Sequence, residues 1–293
     1  MQSEETTIAW CRGNGLLPCA ADQEQPPPCL KAGCSGTLRD ATKDRLGRPC
    51  SKLPIRVILA LAWTWAYDIT ITKSKLMLAG ELSSLRNETF IDWRHFAREI
   101  LQVLFANARP MGGPGEVIQI DESYFRARRK NNKGRLMQGN AVPSAWENYG
   151  DVVDGPWVFG MAWRHDGHTE LRLLHVQRRD RATLLPIIRQ HIAPGTEIWS
   201  DEWAAYATLS HHGYNHKTVN HQQHFVDPVS GCNTQMIESH WASVKARIQT
   251  RGRGTTSKML QMHLIEAWWR SVHDAPRPFL DFLDAIKSVY PQK

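Results

Sequence analysis

Asp121, Asp201 and Glu238 are three carboxylates whose local settings suit a chemical role. Asp121 lies near the end of an apolar run, Asp201 directly follows a second, shorter one, and Glu238 lies in the first turns of a helical stretch. Cleaving or joining a phosphodiester calls for divalent cations, and such hard ions prefer carboxylate oxygen. A two-metal site holds its ions about 3.5–4 Å apart, so carboxylates from distant segments must converge. Strand ends in the middle of a sheet, with one helix crossing it, achieve that convergence. Spacing alone does not select this triple from 29 acidic residues. A cap, a turn residue and a solvated helix acid would look the same. Neighbours on a strand point to opposite faces, so periodicity does not choose between Asp121 and Glu122, or between Asp201 and Glu202. His216, His221 and His224 read as structural or DNA-facing loop histidines rather than metal ligands. Of the 12 tryptophans, Trp157, Trp163, Trp199 and Trp203 fall on predicted strands or helix starts and read as packing residues rather than base-stacking ones.

The elements that must position these groups follow from pattern. Glu116 to Phe125 alternates as a strand. Trp157 to Arg164 and Thr169 to Val176 form a hairpin around His165-Asp166-Gly167-His168. Thr183 can cap a helix to His191, with Pro186 in its first turn. A short strand, Thr196 to Ser200, precedes a helix from Trp203 to His211, and helices follow at Gln235 to Gln249 and Ser257 to His273. Strands, then strands alternating with helices, predict an α/β domain over 116–275, a mixed sheet flanked by helices. Residues 276–293 read as a tail.

Upstream, Met111 to Gly115 (MGGPG) breaks the pattern. Residues 51–110 predict helices at Lys52 to Tyr67, Ser74 to Leu82 and Glu88 to Phe105, the last capped by Asn87. The short link before Asn87 makes the latter two helix-turn-helix-like, with Arg86, Arg94, His95 and Arg98 placed to face DNA. Residues 1–50 lack periodicity and hold Cys11, Cys19, Cys29, Cys34 and Cys50; such a segment is either unstructured or organised by a metal, and Cys29 and Cys34 have a zinc-knuckle spacing.

The 293-residue chain has room for one large domain and a smaller one, and its 42% hydrophobic and 22% charged content is that of a globular protein. Its longest apolar run, Val57 to Ala66, is too short to cross a bilayer, and no export signal is visible, so the cysteines are expected as thiols or metal ligands. The net charge of +7 suits a polyanionic partner. Its distribution sharpens the point. Arg126, Arg128, Arg129, Lys130, Lys133 and Arg135 follow Asp121, and Lys245, at i+7 from Glu238 on one helix face, leads into Arg247, Arg251 and Arg253.

Several segments in order carry a resemblance: Ile120-Asp121-Glu122-Ser123, Trp157-Val158-Phe159-Gly160, Ser200-Asp201-Glu202-Trp203-Ala204-Ala205-Tyr206, Gly213 to His221, Phe225-Val226-Asp227-Pro228, and Thr234-Gln235-Met236-Ile237-Glu238-Ser239-His240-Trp241. Together with Gly112-Gly113-Pro114-Gly115 they resemble the DDE transposases of eukaryotic Merlin elements and their bacterial insertion-sequence relatives, from about Ser51 to Arg270. The resemblance implies an RNase H-like catalytic domain with its triad on Asp121, Asp201 and Glu238, two Mg2+ or Mn2+ ions, and strand cleavage and transfer at transposon ends. It also implies an N-terminal zinc-binding module, of which only Cys29 and Cys34 match well. Double-stranded DNA, both ends and target, is the implied partner, and a homo-oligomer the implied form. The location would be the nucleus in a eukaryote and the cytoplasm otherwise. Two other readings share the residues: a domesticated DNA-binding derivative whose chemistry has lapsed, and a nuclease of RNA–DNA hybrids, which would have no use for the helical DNA-binding region.

Overall fold

The computed structural model describes residues 3–17, 53–125, 127–128, 152–153, 156–252, 257–273 and 276–290. The chain divides into two units, Phe105–Asp274 and a second made of Met1–Leu104 with Ala275–Lys293.

The larger unit is built on a five-stranded sheet. Strand β1 (Val117–Tyr124) lies at its centre, and a short pair, β2 (Ala127–Arg128) and β3 (Val152–Val153), stands apart from the sheet. Strands β4 (Trp157–His165) and β5 (His168–Val176) form the expected hairpin. Asp166 and Gly167 both take positive φ (47° and 81°), the conformation a tight two-residue hairpin turn requires. Strands β6 (Glu197–Asp201) and β7 (Asn215–Val219) complete the order β5-β4-β1-β6-β7. β4 pairs antiparallel with β1 and β5, whereas β6 runs parallel to β1 and β7 parallel to β6.

Period-2 alternation gives each face its own core. Val158 and Ala162 of β4, with Leu171 and Leu173 of β5, bury against Ile237, Trp241 and Val244 of α7 (Gln235–Gly252) and against Leu260 and Leu264 of α8 (Ser257–Val272). Ile118, Ile120, Phe159 and Met161 point the other way, toward Leu184 and Ile188 of α6 (Arg181–His191) and toward Tyr206. The result is an α/β layer sandwich with a mixed sheet, as the pattern predicts.

Some elements differ in detail. α6 starts two residues earlier than Thr183 because Asp180 is the cap: its Oδ1 accepts from Thr183 N (2.9 Å) and Oγ1 (2.8 Å). Pro186 therefore lies inside the helix, where it removes the N–H that would have bonded the Ala182 carbonyl. The helix expected from Trp203 to His211 is two short 3-10 turns, Ala204–Tyr206 and Leu209–His212, and β7 was not foreseen.

The smaller unit contains α1 (Glu4–Gly13), α2 (Ile55–Ala66), α3 (Ile71–Met77), α4 (Ala79–Leu82), most of α5 (Asn87–Ala106), and α9 (Pro278–Val289). Val57, Leu61, Leu82 and Phe90 form its core. Two expectations are corrected here. The stretch read as a tail contains α9, whose Phe282 packs on Trp65 with ring centroids 4.4 Å apart. The extreme N-terminus is helical, started by Ser3 capping Thr6 N and by Glu4 and Glu5 in the first turn. Glu4 accepts from Ile55 N (2.6 Å), so α1 is fixed to α2, and Cys11 is buried with its thiol pushed up by desolvation and by Glu4. Among the described residues no helix is long and apolar enough to cross a membrane.

Candidate active site

Gln119, Asp121 and Ser123 of β1 face α7, and each is tied to it. Gln119 is 5% exposed; its Oε1 accepts from the N–H groups of Met236 (2.9 Å) and Ile237 (3.2 Å), and its Nε2 donates to Asn233 Oδ1 (3.1 Å). A strand side chain thus satisfies donors that the first turn of a helix leaves unpaired, and it fixes the start of α7 against the sheet. Two residues on, Asp121 Oδ2 accepts from Trp241 Nε1 (2.8 Å), while its Oδ1 accepts from Glu122 N (2.7 Å). Two further on, Ser123 Oγ accepts from Lys245 Nζ (2.6 Å), whose ammonium also lies over the Phe125 ring at 5.2 Å. Gly160 stands opposite Asp121 in the register, and a Cβ there would come within 2.5 Å of the Trp241 ring. Only glycine lets that indole lie flat enough on β4 to reach Asp121.

Glu238 is held by its neighbours. Thr234 Oγ1 donates to Glu238 Oε1 (2.6 Å), and His221 Nε2 meets the same hydroxyl at 2.8 Å and the carboxylate at 3.4 Å. Asp201 ends β6, beside β1, and its Oδ1 accepts from Trp203 N (3.1 Å). Burial pushes the Asp121 carboxyl up to about 6, against the hydrogen bonds from Trp241 and Glu122; Asp201 and Glu238 push it the same way. All three carboxylates therefore act on one locality. Among the described residues, however, no three His, Cys, Asp or Glu side chains already stand close enough to hold one ion.

Glu122 points to the opposite face. Tyr206 Oη donates to its Oε1, and burial, reinforced by Asp201 and Asp121, pushes its pKa up to about 8. The Asp121–Glu122 ambiguity thus becomes a geometric distinction: one carboxylate is hydrogen-bonded to the helix that carries Glu238, the other to a tyrosine beneath the sheet.

Residues 113–271, more than half of the chain, match the ISXO2-like transposase domain. The chain belongs to that transposase family. An uncharacterized transposase-like protein of Haemophilus influenzae is 30% identical over 89 residues, which is 30% of this chain and 70% of that protein. Among solved structures, a chain of the simian T-cell lymphotropic virus intasome in complex with PP2A regulatory subunit B56 gamma aligns at 13% identity and TM-score 0.32, covering 58% of each chain. The Mos1 strand transfer complex aligns at 11% identity and TM-score 0.22, over 74% of this chain and 96% of that one.

The basic residues of this transposase-family chain fall into distinct environments. Lys245 joins the carboxylate face through Ser123. Arg247 is turned inward instead, to Glu266 of α8 (3.0 Å), which also holds Arg270 (3.0 Å). In the other unit, Arg94 Nη2 donates to the Ile69 carbonyl (2.7 Å), and Arg98 is half-buried. Arg128 lies in β2; Arg126, Arg129, Lys130, Cys29 and Cys34 fall outside the described residues. Of the three histidines read as loop residues, His216 lies on β7 and meets Ser200 Oγ at 2.9 Å, and His221 meets Thr234. Sequence reasoning missed Gln119, Gly160, Thr234 and Trp241 as positioning residues. The one available signal was a polar Gln119 inside an apolar strand, two residues from Asp121.

Proposed function

We propose that this chain is a DDE transposase that cleaves DNA at transposon ends and transfers the strands to target DNA, with Asp121, Asp201 and Glu238 as its metal-binding carboxylates. The observation that carries this reading is the shared face of β1 and α7. In a transposase-family chain, a half-buried Asp121 is hydrogen-bonded to the helix that bears Glu238 and feels the charge of Asp201. The donor set fits Mg2+ or Mn2+, being hard oxygen from acids whose mutual repulsion a cation would relieve. Two such ions would stabilise charge on the transferring phosphoryl group and activate the attacking water or 3′-hydroxyl.

The chain's own residues set the rest. Trp241 fixes the carboxylate plane of Asp121, Thr234 with His221 fixes Glu238, and the Trp203 N–H fixes Asp201. Lys245, at i+7 from Glu238, is the cation best placed to meet a phosphate there. The order β5-β4-β1-β6-β7 supports an RNase H-like fold, and the motif series supports a Merlin-type relative. Zinc at Cys29 and Cys34, and a homo-oligomer that pairs two DNA ends, belong to the same reading.

The test is nicking of supercoiled plasmid with Mg2+ or Mn2+, comparing the native protein with Asp201→Asn. Metal-dependent nicking that disappears in the variant is expected. Equal nicking by both proteins would remove Asp201 from the site. DNA binding without nicking by either would favour a catalytically lapsed DNA-binding derivative.

A further inference from the structure

Next to Asp201, on the side of the sheet where α6 packs, lies a groove of about 600 Å³ lined by Arg179, Arg181, Ala182, Pro186, Trp203 and Ala204 among others. That size is within the range of about 300–1,000 Å³ typical of small-ligand sites. Trp203 is 39% exposed, unusual for so large a ring, yet it is firmly placed. Its backbone N–H holds Asp201 (3.1 Å) and its Nε1 donates to the Arg179 carbonyl (2.9 Å). The Arg179 guanidinium lies over Trp157 at 3.7 Å and over Trp203 at 4.9 Å. An ordered π-face is thus presented to solvent two residues from a candidate catalytic carboxylate, with an arginine plane against it.

Stability explains Arg179, which stacks on Trp157 and Trp203 and offsets the charge of Glu122, but not its basic neighbours. Arg178, Arg179 and Arg181 crowd the N-terminal end of α6, where the helix dipole disfavours cations. Asp180 caps the helix and pairs with Arg178 (2.8 Å), which offsets part of that cost, but Arg178 and Arg181 stay exposed. An anionic partner accounts for cations at this end of the helix. Because Pro186 has no N–H, the Ala182 carbonyl also lacks its usual helical donor at the groove wall, where an amino group could meet it.

We infer that this groove binds an unpaired nucleotide of the DNA substrate, its base stacked on Trp203 and its phosphate on Arg181. The inference rests on the reading of Asp201 as part of a DNA-cleaving centre, and it places a frayed or flipped nucleotide beside the bond to be cut. Stacking on an aromatic ring tolerates any base, so the groove supplies purchase on melted DNA rather than sequence choice.

The test uses the full chain in EDTA, so that no cleavage is needed, and fluorescence anisotropy with two probes. One is a blunt 30-base-pair duplex and the other is the same duplex with a five-thymidine 3′ tail. Tighter binding of the tailed duplex is expected, and Trp203→Ala should remove that preference, by roughly ten-fold in affinity, while sparing the blunt duplex. Trp203→Phe should keep most of it. Arg181→Gln should lower the slope of log affinity against log salt by about one for the tailed probe. Asp121→Asn should keep the tail preference, which separates this site from the catalytic reading. Equal losses on both probes would make the groove a duplex-backbone contact and overturn the inference; no loss on either would leave the groove to some other partner and overturn it too. Should Trp203→Ala misfold, bromodeoxyuridine in the tail of the native complex decides. A photo-crosslink in the peptide bearing Trp203 supports the site, and crosslinks solely elsewhere refute it.

Discussion

Two polar clusters, one half-buried and one buried, lie in the same layered unit and are built on opposite principles. At the Asp121 end of β1, Asp121, Glu122, Asp201 and Glu238 bring like charges together, and the carboxyls of Asp121 and Glu122 are pushed up to about 6 and about 8, by burial first, with Asp201 adding to both, Glu238 to Asp121 and Asp121 to Glu122. On β5, Arg172 is 3% exposed and meets opposite or neutral partners at every nitrogen. Its Nε donates to Glu170 Oε1 (2.7 Å), its Nη2 to the Arg109 carbonyl (2.5 Å), and its Nη1 meets His191 Nδ1 at 3.3 Å. Glu170 Oε1 also accepts from Trp268 Nε1 (2.9 Å). The second cluster satisfies itself. The first keeps an excess of negative charge despite its hydrogen bonds, with Arg179 offsetting only part of it at Glu122, and a buried like-charge group costs stability unless a cation arrives. The difference marks the first cluster as the candidate functional site and the second as a structural one without reference to any relative.

The largest expected effect tests that separation directly. Asp121→Asn should cut metal-dependent nicking on the order of a thousand-fold or more, because on the proposed reading the group lost is a metal ligand acting on transition-state charge. It should leave the thermal midpoint of the metal-free protein unchanged or raised, since a buried charge is removed. A thermal midpoint that collapses with activity would mean that Asp121 is structural. The reverse pattern is expected of Arg172→Met. Removing one partner of a buried ion pair strands Glu170, at a cost of about 3–5 kcal/mol in denaturant unfolding. Nicking per folded molecule should stay near the native value, and a specific loss of turnover without loss of stability would break the comparison.

A smaller effect sharpens it. Trp241→Phe keeps the aromatic packing against Phe125 but removes the N–H that holds Asp121. Loss of such an orienting partner is worth about 10–100-fold at metal sites. The expected signature is a reduced maximal rate with DNA affinity unchanged and a higher metal concentration needed for half-maximal nicking. A variant that loses DNA affinity instead would show that the indole serves packing and not the carboxylate.

Much of the sheet was legible because its signals are local. The alternation of Ile118, Ile120 and Phe159 and the Asp166-Gly167 turn each need only a few residues of context. The edge strand β7 was not, for Asn-His-Lys-Thr-Val has a single buried apolar residue, Val219, and owes its strand to pairing with β6. Helix α1 depends on Glu4 reaching Ile55, and α9 on Phe282 meeting Trp65; neither contact leaves a trace in local pattern. The carboxylates themselves could be nominated from flanking motifs. The residues that orient them could not, because Gln119–Met236, Asp121–Trp241 and Ser123–Lys245 join positions more than a hundred apart and exist only once the register of β1 and the roll of α7 are fixed.

The smallest effect concerns pH and distinguishes the clusters by sign. Burial first, then Arg172, lowers His191 to about 4, with Glu170 opposing. Arg172 can only donate, so His191 Nδ1 must accept, and the ring is neutral in the folded state. The unfolded ring takes a proton near its ordinary 6.5 and the folded one does not. Its contribution to stability is therefore present above about 6.5 and lost as the pH falls toward about 4. Asp121 runs the other way. With its folded value raised from 3.8 to about 6, the metal-free protein loses stability from this group as the pH rises through that window. Asp121→Asn should remove its own share of the rising-pH loss; with Glu122→Gln added, which removes the share that extends to about 8, the acid-side loss of His191 should be visible in urea unfolding between pH 4 and 6.5. The His191 ring signal in the NMR spectrum should stay unshifted through pH 6. A ring that titrates near 6.5 in the folded protein would show that Arg172 does not hold it neutral, and the contrast between a self-satisfied cluster and an unsatisfied one would lose its electrostatic basis.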